Sequence, residues 1–80
     1  MPELSRRAQK DLADLPDSLR ARAESLIERL DREPGLGKKL MGPLAGVRSA
    51  RLGRAHRILF EMTDNGAYIL TIRQRKDAYR

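Results

Sequence analysis

The sequence predicts an α+β domain in which an N-terminal helical hairpin packs on a small antiparallel sheet of three to four strands. Three observations carry this. Two stretches before Glu33 repeat apolar residues at helical spacing, the texture turns glycine-rich after Gly35, and two β-rich runs flank an Asn-Gly pair near the end.

Leu4, Ala8, Leu12 and Leu15 recur at steps of four, four and three, which places them on one helix face. Ser5 is a candidate N-cap, and Pro16 ends the segment. Leu19, Ala23, Leu26 and Leu30, widened by Ile27, mark a second helix, with Asp17 or Ser18 as its cap and Glu33-Pro34-Gly35 as its stop. The mixed charges on the outer faces read as solvated surface. Gly37, Gly42, Pro43, Gly46 and Gly53 then exclude a long helix. A strand over 47–52, a turn at Gly53-Arg54 and a strand over 56–62 follow. Thr63-Asp64-Asn65-Gly66 supplies a hairpin turn, since Asn-Gly tolerates positive φ at both central positions, and a third strand covers 67–73. Met1 to Leu4 leave room for no more than an edge stub.

Eighty residues without a cysteine make a single domain, residues 1–80, with no disulfide or thiolate metal site. One histidine, His56, cannot build a histidine cluster. No apolar stretch approaches the roughly 18 residues of a membrane span, and the start lacks the apolar core of a signal peptide. A cytoplasmic protein without a membrane partner is expected. The net charge of +6 is unevenly spread. Residues 1–35 hold 7 basic and 8 acidic side chains, residues 36–60 hold 6 basic and no acidic ones, and residues 61–80 hold 4 and 3. A basic face that only aids solubility is the plain alternative. Segregation of this kind favours a polyanion partner, nucleic acid being the commonest.

Strand alternation sorts the basic residues. Arg51 shares a face with Ser49, while Arg48 falls with Ala50 and Leu52. Arg57 shares a face with Leu59 and Glu61, and in the third strand Tyr68, Leu70 and Ile72 oppose Ile69, Thr71 and Arg73. Arg51, Arg57 and one of Arg73 or Arg75 are placed to converge on one side of a narrow sheet. Guanidinium is planar and permanently charged, which suits forked hydrogen bonding to phosphate. His56 alternates with Arg57 and reads as a packing or turn residue rather than a general acid. Tyr68 and Phe60 read as sheet packing, and Asp77 as a local ion-pair partner of Arg75.

The run GxRSARLGxxHRILFE, Gly46 to Glu61, followed by YILTIRQRKDAYR, Tyr68 to Arg80, resembles the RelE/ParE superfamily of toxins from bacterial and archaeal toxin–antitoxin pairs. The lead-in Leu40 to Gly46 and the helical hairpin fit the same pattern. The resemblance favours the RelE branch and implies a RelE-like fold and a ribosome-dependent mRNA endonuclease that works without metal or cofactor. In such enzymes the ribose 2′-hydroxyl attacks the adjacent phosphate and the 5′-oxygen leaves. By the resemblance, Arg57, Arg75, Tyr79 and Arg51 are the catalytic residues, with Arg73 a substitute for Arg75 and Tyr79 the general base. Arg48, Arg54, Arg73, Lys38 and Lys39 are candidate RNA contacts. A tyrosine has a reference pKa of about 10, so neighbouring arginines are needed to favour its phenolate. The implied partners are the ribosome, its mRNA and a cognate antitoxin that wraps the toxin with a helical or extended segment in a hetero-oligomer. The basic surface predicts acidic side chains on that segment, and the sheet edge invites strand addition.

Two positions depart from the family pattern. Ser49 stands where the second basic residue of its strand is expected, and Arg48 or Arg54 are the local alternatives. The resemblance also implies a full first strand, so the stub at Met1 to Leu4 predicts a narrower sheet or a start downstream of the natural one. An alternative of another class has the same fold: a ParE-type toxin that binds DNA gyrase and cleaves nothing. A basic domain without toxicity is the third reading.

Overall fold

The computed structural model describes residues 2–74. Two helices, α1 (Arg6–Ala13) and α2 (Asp17–Arg32), lie on one face of a sheet built from β1 (Glu3–Leu4), β2 (Lys38–Lys39), β3 (Arg48–Leu52), β4 (His56–Thr63) and β5 (Gly66–Gln74). Ser5 caps α1 as expected, its hydroxyl accepting from the Ala8 amide at 3.0 Å. Pro16 rather than Asp17 or Ser18 occupies the N-cap of α2, and no side chain caps that end. Asp17 instead sits in the first turn, where its charge complements the helix dipole.

The sheet has five strands in the order β1-β5-β4-β3-β2, one more than the widest expectation. It is mixed rather than antiparallel, because the N-terminal stub pairs parallel with β5, Glu3 opposite Tyr68 and Leu4 opposite Ile69. Lys38 and Lys39, which lie outside the three strands expected from sequence, form the other edge by pairing with Ser49 and Arg48. That edge sits close. A Cβ on Gly37 would lie 2.5 Å from the Phe60 ring, so only glycine fits beside this fully buried side chain. The hairpin turn spans Thr63 to Gly66 as expected, but without the expected positive φ at Asn65. Asp64-Asn65 are its central pair, and positive φ occurs at Gly66 alone, 113°. This register pairs Met62 with Ala67 on the core side.

Ala23, Ile27 and Leu30 of α2 and Ala8 of α1 pack on Ala50, Leu52, Ile58, Phe60, Ala67, Ile69 and Ile72. Ile69 and Ile72 are three apart, so strict alternation would put them on opposite faces. A β-bulge reconciles them. Phe60 pairs with Ile69 but Leu59 pairs with Thr71, which leaves Leu70 as the extra residue. The strict alternation expected along β5 therefore fails at Leu70, and Tyr68, Thr71 and Arg73 face away from the helices.

Helix α1 clamps this bulge. The Ser5 hydroxyl donates to the Leu70 carbonyl at 2.7 Å, and the Ser5 amide donates to the Ile69 carbonyl at 2.9 Å. Two turns further on, Asp11 Oδ2 accepts from the Thr71 hydroxyl at 2.6 Å and from the Ile72 amide at 3.0 Å. Its side chain is only 13% exposed, and Arg7 Nε lies 3.2 Å from Oδ1. Hydrogen bonds to a charged acceptor contribute about 1.5–3 kcal/mol each. The two bonds share one carboxylate oxygen and do not add in full. Asp11→Ala should thus lower the unfolding free energy by at least about 1.5–3 kcal/mol, and Tm by about 4–8 °C for each kcal/mol in a domain this small. Thermal melts read by circular dichroism check this, and an unchanged Tm would free the bulge from α1.

Candidate functional site

The bulge decides which residues share the sheet face turned away from the helices. This face is called uncovered because neither α1 nor α2 lies on it, although Ser49, Leu59 and Thr71 are buried there. Without it, the register between Phe60 and Ile69 would run on to set Arg57 opposite Ile72 and Arg73 opposite His56. With it, Arg57 opposes Arg73, and across the next strand Arg51 opposes Arg57. Three arginines on three neighbouring strands thus form a row. Their α-carbons are spaced by the interstrand distance of roughly 4.8 Å, and Ala50, Leu52, Ile58 and Ile72 face the helices behind them.

Among the described residues the row meets no ion-pair partner. The ion pairs of the described residues, Arg7 with Asp11, Arg20 with Asp17 and Arg29 with Glu33, all lie on the helices. Arg57 Nε is buried and finds no hydrogen-bond acceptor. Arg73 is held from below: its Nε donates to Thr71 Oγ1 at 3.3 Å, and that hydroxyl donates in turn to Asp11. A carboxylate on α1 therefore orients a guanidinium on the opposite face through one threonine. Sequence alone carried no signal for this relay, because Asp11 and Thr71 are 60 positions apart.

The remaining predicted site residues divide. Lys38 pairs with Ser49, so it joins the uncovered face in the row next to the arginines, a row continued by Leu59 and Thr71. Lys39 pairs with Arg48, and both fall on the helix side. Arg48 there reaches toward the Pro34 carbonyl, 3.5 Å from Nη1, and does not replace the cation missing at Ser49. Arg54 is exposed in the β3–β4 turn. His56 pairs with Leu52 and Gln74, away from the arginine row as expected. Arg75 and Tyr79 lie outside the described residues. Among the described residues no three His, Asp or Glu side chains gather as a metal site, and no helix is long and apolar enough to cross a membrane.

Fold and face together define a small basic α+β protein with a row of three arginines across one sheet face. The chain belongs to the ParE toxin family of type II toxin–antitoxin systems, whose family model matches residues 3–79. Among solved structures, it is similar to the RelBE2 toxin–antitoxin complex from Mycobacterium tuberculosis, at 33% identity and a TM-score of 0.82, covering 94% of this chain and 96% of that one. A YoeB–YefM complex from Staphylococcus aureus matches at 22% identity and a TM-score of 0.78, over 91% and 93% of the two chains. A RelB–RelE complex from Methanococcus jannaschii matches at 23% and 0.74, over 96% and 94%. The latter two likenesses show the shared fold. No curated protein sequence matches the chain.

Like charges directly opposite one another on a sheet destabilise it by about 0.2–1 kcal/mol per pair, and a buried N–H without an acceptor costs about 1–3 kcal/mol. Arg57→Met removes both penalties while keeping an unbranched side chain. It should raise Tm by several degrees in low salt, with a smaller gain as salt screens the repulsion. A fall in Tm in differential scanning calorimetry would show that the row stabilises the fold instead.

Proposed function

We propose that this toxin is a ribosome-dependent mRNA endonuclease, silenced by a cognate antitoxin. The in-register row Arg51–Arg57–Arg73, without an ion-pair partner among the described residues and with Arg73 held by Thr71 and Asp11, is the observation that carries the reading. Three guanidinium groups on neighbouring strands suit the non-bridging oxygens of one phosphate.

In the proposed reaction the ribose 2′-oxygen attacks the adjacent phosphorus as its proton passes to Tyr79. The bond from phosphorus to the 5′-oxygen breaks, and that oxygen takes a proton from solvent. The products are a 2′,3′-cyclic phosphate and a 5′-hydroxyl. Negative charge grows on the phosphoryl oxygens in between, and fixed cations aimed at it need no reorganisation as the reaction proceeds. The same cations favour the phenolate of a tyrosine brought beside them. Arg75 supplies a further guanidinium from the C-terminal segment, and Lys38 and Arg54 extend the interaction with the RNA backbone. The basic face also calls for an antitoxin segment bearing acidic side chains, and the short edge strand β2 offers it a backbone to pair with.

The family match supports a second reading, a ParE-type toxin that binds DNA gyrase without cleaving nucleic acid. Ser49, where a second basic residue would stand, favours it too. A translating cell extract separates the two: cut transcripts indicate the nuclease, and gyrase-dependent DNA breakage indicates the binder.

For the nuclease, Arg57→Met should reduce transcript cleavage by about 10²–10³-fold, the usual effect of losing one transition-state donor. Growth arrest should disappear although the fold gains stability. Tyr79→Phe keeps the ring, deletes the hydroxyl and should slow cleavage by about 10²–10⁴-fold. Both are read by sequencing cleaved transcripts with ribosomes present, and wild-type rates in either variant remove that residue from the reaction.

A further inference from the structure

The arginine row does not end at the edge of β3. Because β2 pairs only with Arg48 and Ser49, the strand is uncovered from Ala50 onward, and a cleft of about 280 Å³ opens there between β3 and α2. Arg22, Ser25 and Arg29 line one wall, and Arg51, Leu52 and Gly53 line the other. The helical wall follows from spacing: Arg22, Ser25 and Arg29 stand at i, i+3 and i+7, one face of α2, with the arginines about 10 Å apart along the axis. The acids of this helix segment, Glu24 and Glu28, line a different cavity with Pro2, Leu4 and Leu12.

The turn after β3 brings the walls together. Gly53 has φ 63°, a left-handed conformation that side chains disfavour, and a Cβ there would meet Arg22 Nη1 at 3.9 Å. The Arg22 guanidinium thus rests against the turn, close to the strand that carries Arg51. Of the three arginines that line the cleft, Arg29 alone has an ion-pair partner among the described residues, Glu33 at 3.5 Å. That pair is exposed on both sides, and exposed pairs contribute little. A polar cleft lined by three cations and a hydroxyl fits an anion, and forked donors fit phosphate oxygens.

We propose that this cleft is a second phosphate subsite for single-stranded RNA, joined to the arginine row through Arg51, so that the strand crosses the β3 edge onto α2. The proposal rests on RNA being the ligand of the row, and its test measures binding rather than cleavage. Continuity through Arg51 favours RNA over an acidic peptide, since the same backbone would supply phosphates to both places.

The probe is a 2′-O-methyl RNA oligonucleotide, which lacks the attacking hydroxyl, followed by fluorescence anisotropy across a salt series. Arg22→Gln/Arg29→Gln should weaken binding by about tenfold and flatten the slope of log affinity against log salt by about 0.7 for each phosphate the protein no longer neutralises. Glutamine is a good helix former, so the variant keeps α2. Arg6→Gln/Arg32→Gln removes the same charge elsewhere on the helices and should leave the slope at its wild-type value. Equal flattening in both variants reduces the effect to net charge and overturns the subsite, as does an unchanged slope in the first. Loss of poly-L-glutamate binding with oligonucleotide binding intact would assign the cleft to an acidic peptide and overturn it too. Wild-type protein that fails to bind the oligonucleotide overturns it outright. A protein that binds with the expected slopes yet cuts no transcript keeps the subsite and loses the nuclease.

Discussion

One extra residue in β5 sets the chemistry of the whole uncovered face. The bulge at Leu70 lets Ile69 and Ile72 both reach the core, and the register beyond it brings Arg73 opposite Arg57. A sheet with unbroken alternation would turn Arg73 toward the helices and leave two arginines where there are now three. Short side chains at the N-cap and in the second half of α1 hold the irregularity in place. Ser5 takes the bulged carbonyl while capping its own helix, and Asp11 takes the amide and hydroxyl that follow. The small N-terminal helix therefore closes the core and fixes the geometry of the cationic strip behind it.

That strip carries a cost that folding alone does not explain. Opposed guanidinium groups repel, and the buried Arg57 Nε has no acceptor. In a domain with a single small core, such penalties are a large part of the net stability. A ligand with oxygens at the right spacing would remove both at once, which is the physical basis of the proposed phosphate site. The relay from Asp11 through Thr71 limits how far Arg73 can swing, so less conformational entropy is lost on binding.

Local pattern made much of this legible. The apolar spacing gave α1 and α2, Ser5 gave a correct cap, and β-rich runs gave the three central strands with Arg51 and Arg57 on one side. The positions that sequence could not place depend on distant partners. Two residues such as Glu3–Leu4 or Lys38–Lys39 have no period to read, and they become strands only because β5 and β3 offer free edges. The bulge at Leu70 is invisible to alternation, since its cause lies in Ser5 and Asp11. The choice between Arg73 and Arg75 was open for that reason. Arg22 and Arg29 read as solvated helix surface until the turn at Gly53 closed the cleft around them.

The central claim is that Arg51, Arg57 and Arg73 hold one phosphate together. Nitrogen-15 NMR of the three Nε–H groups, titrated with a 2′-O-methyl dinucleotide, tests it directly. Three resonances shifting in concert along one binding isotherm is the expected result. Independent isotherms, or shifts confined to arginines on the helices, would contradict it.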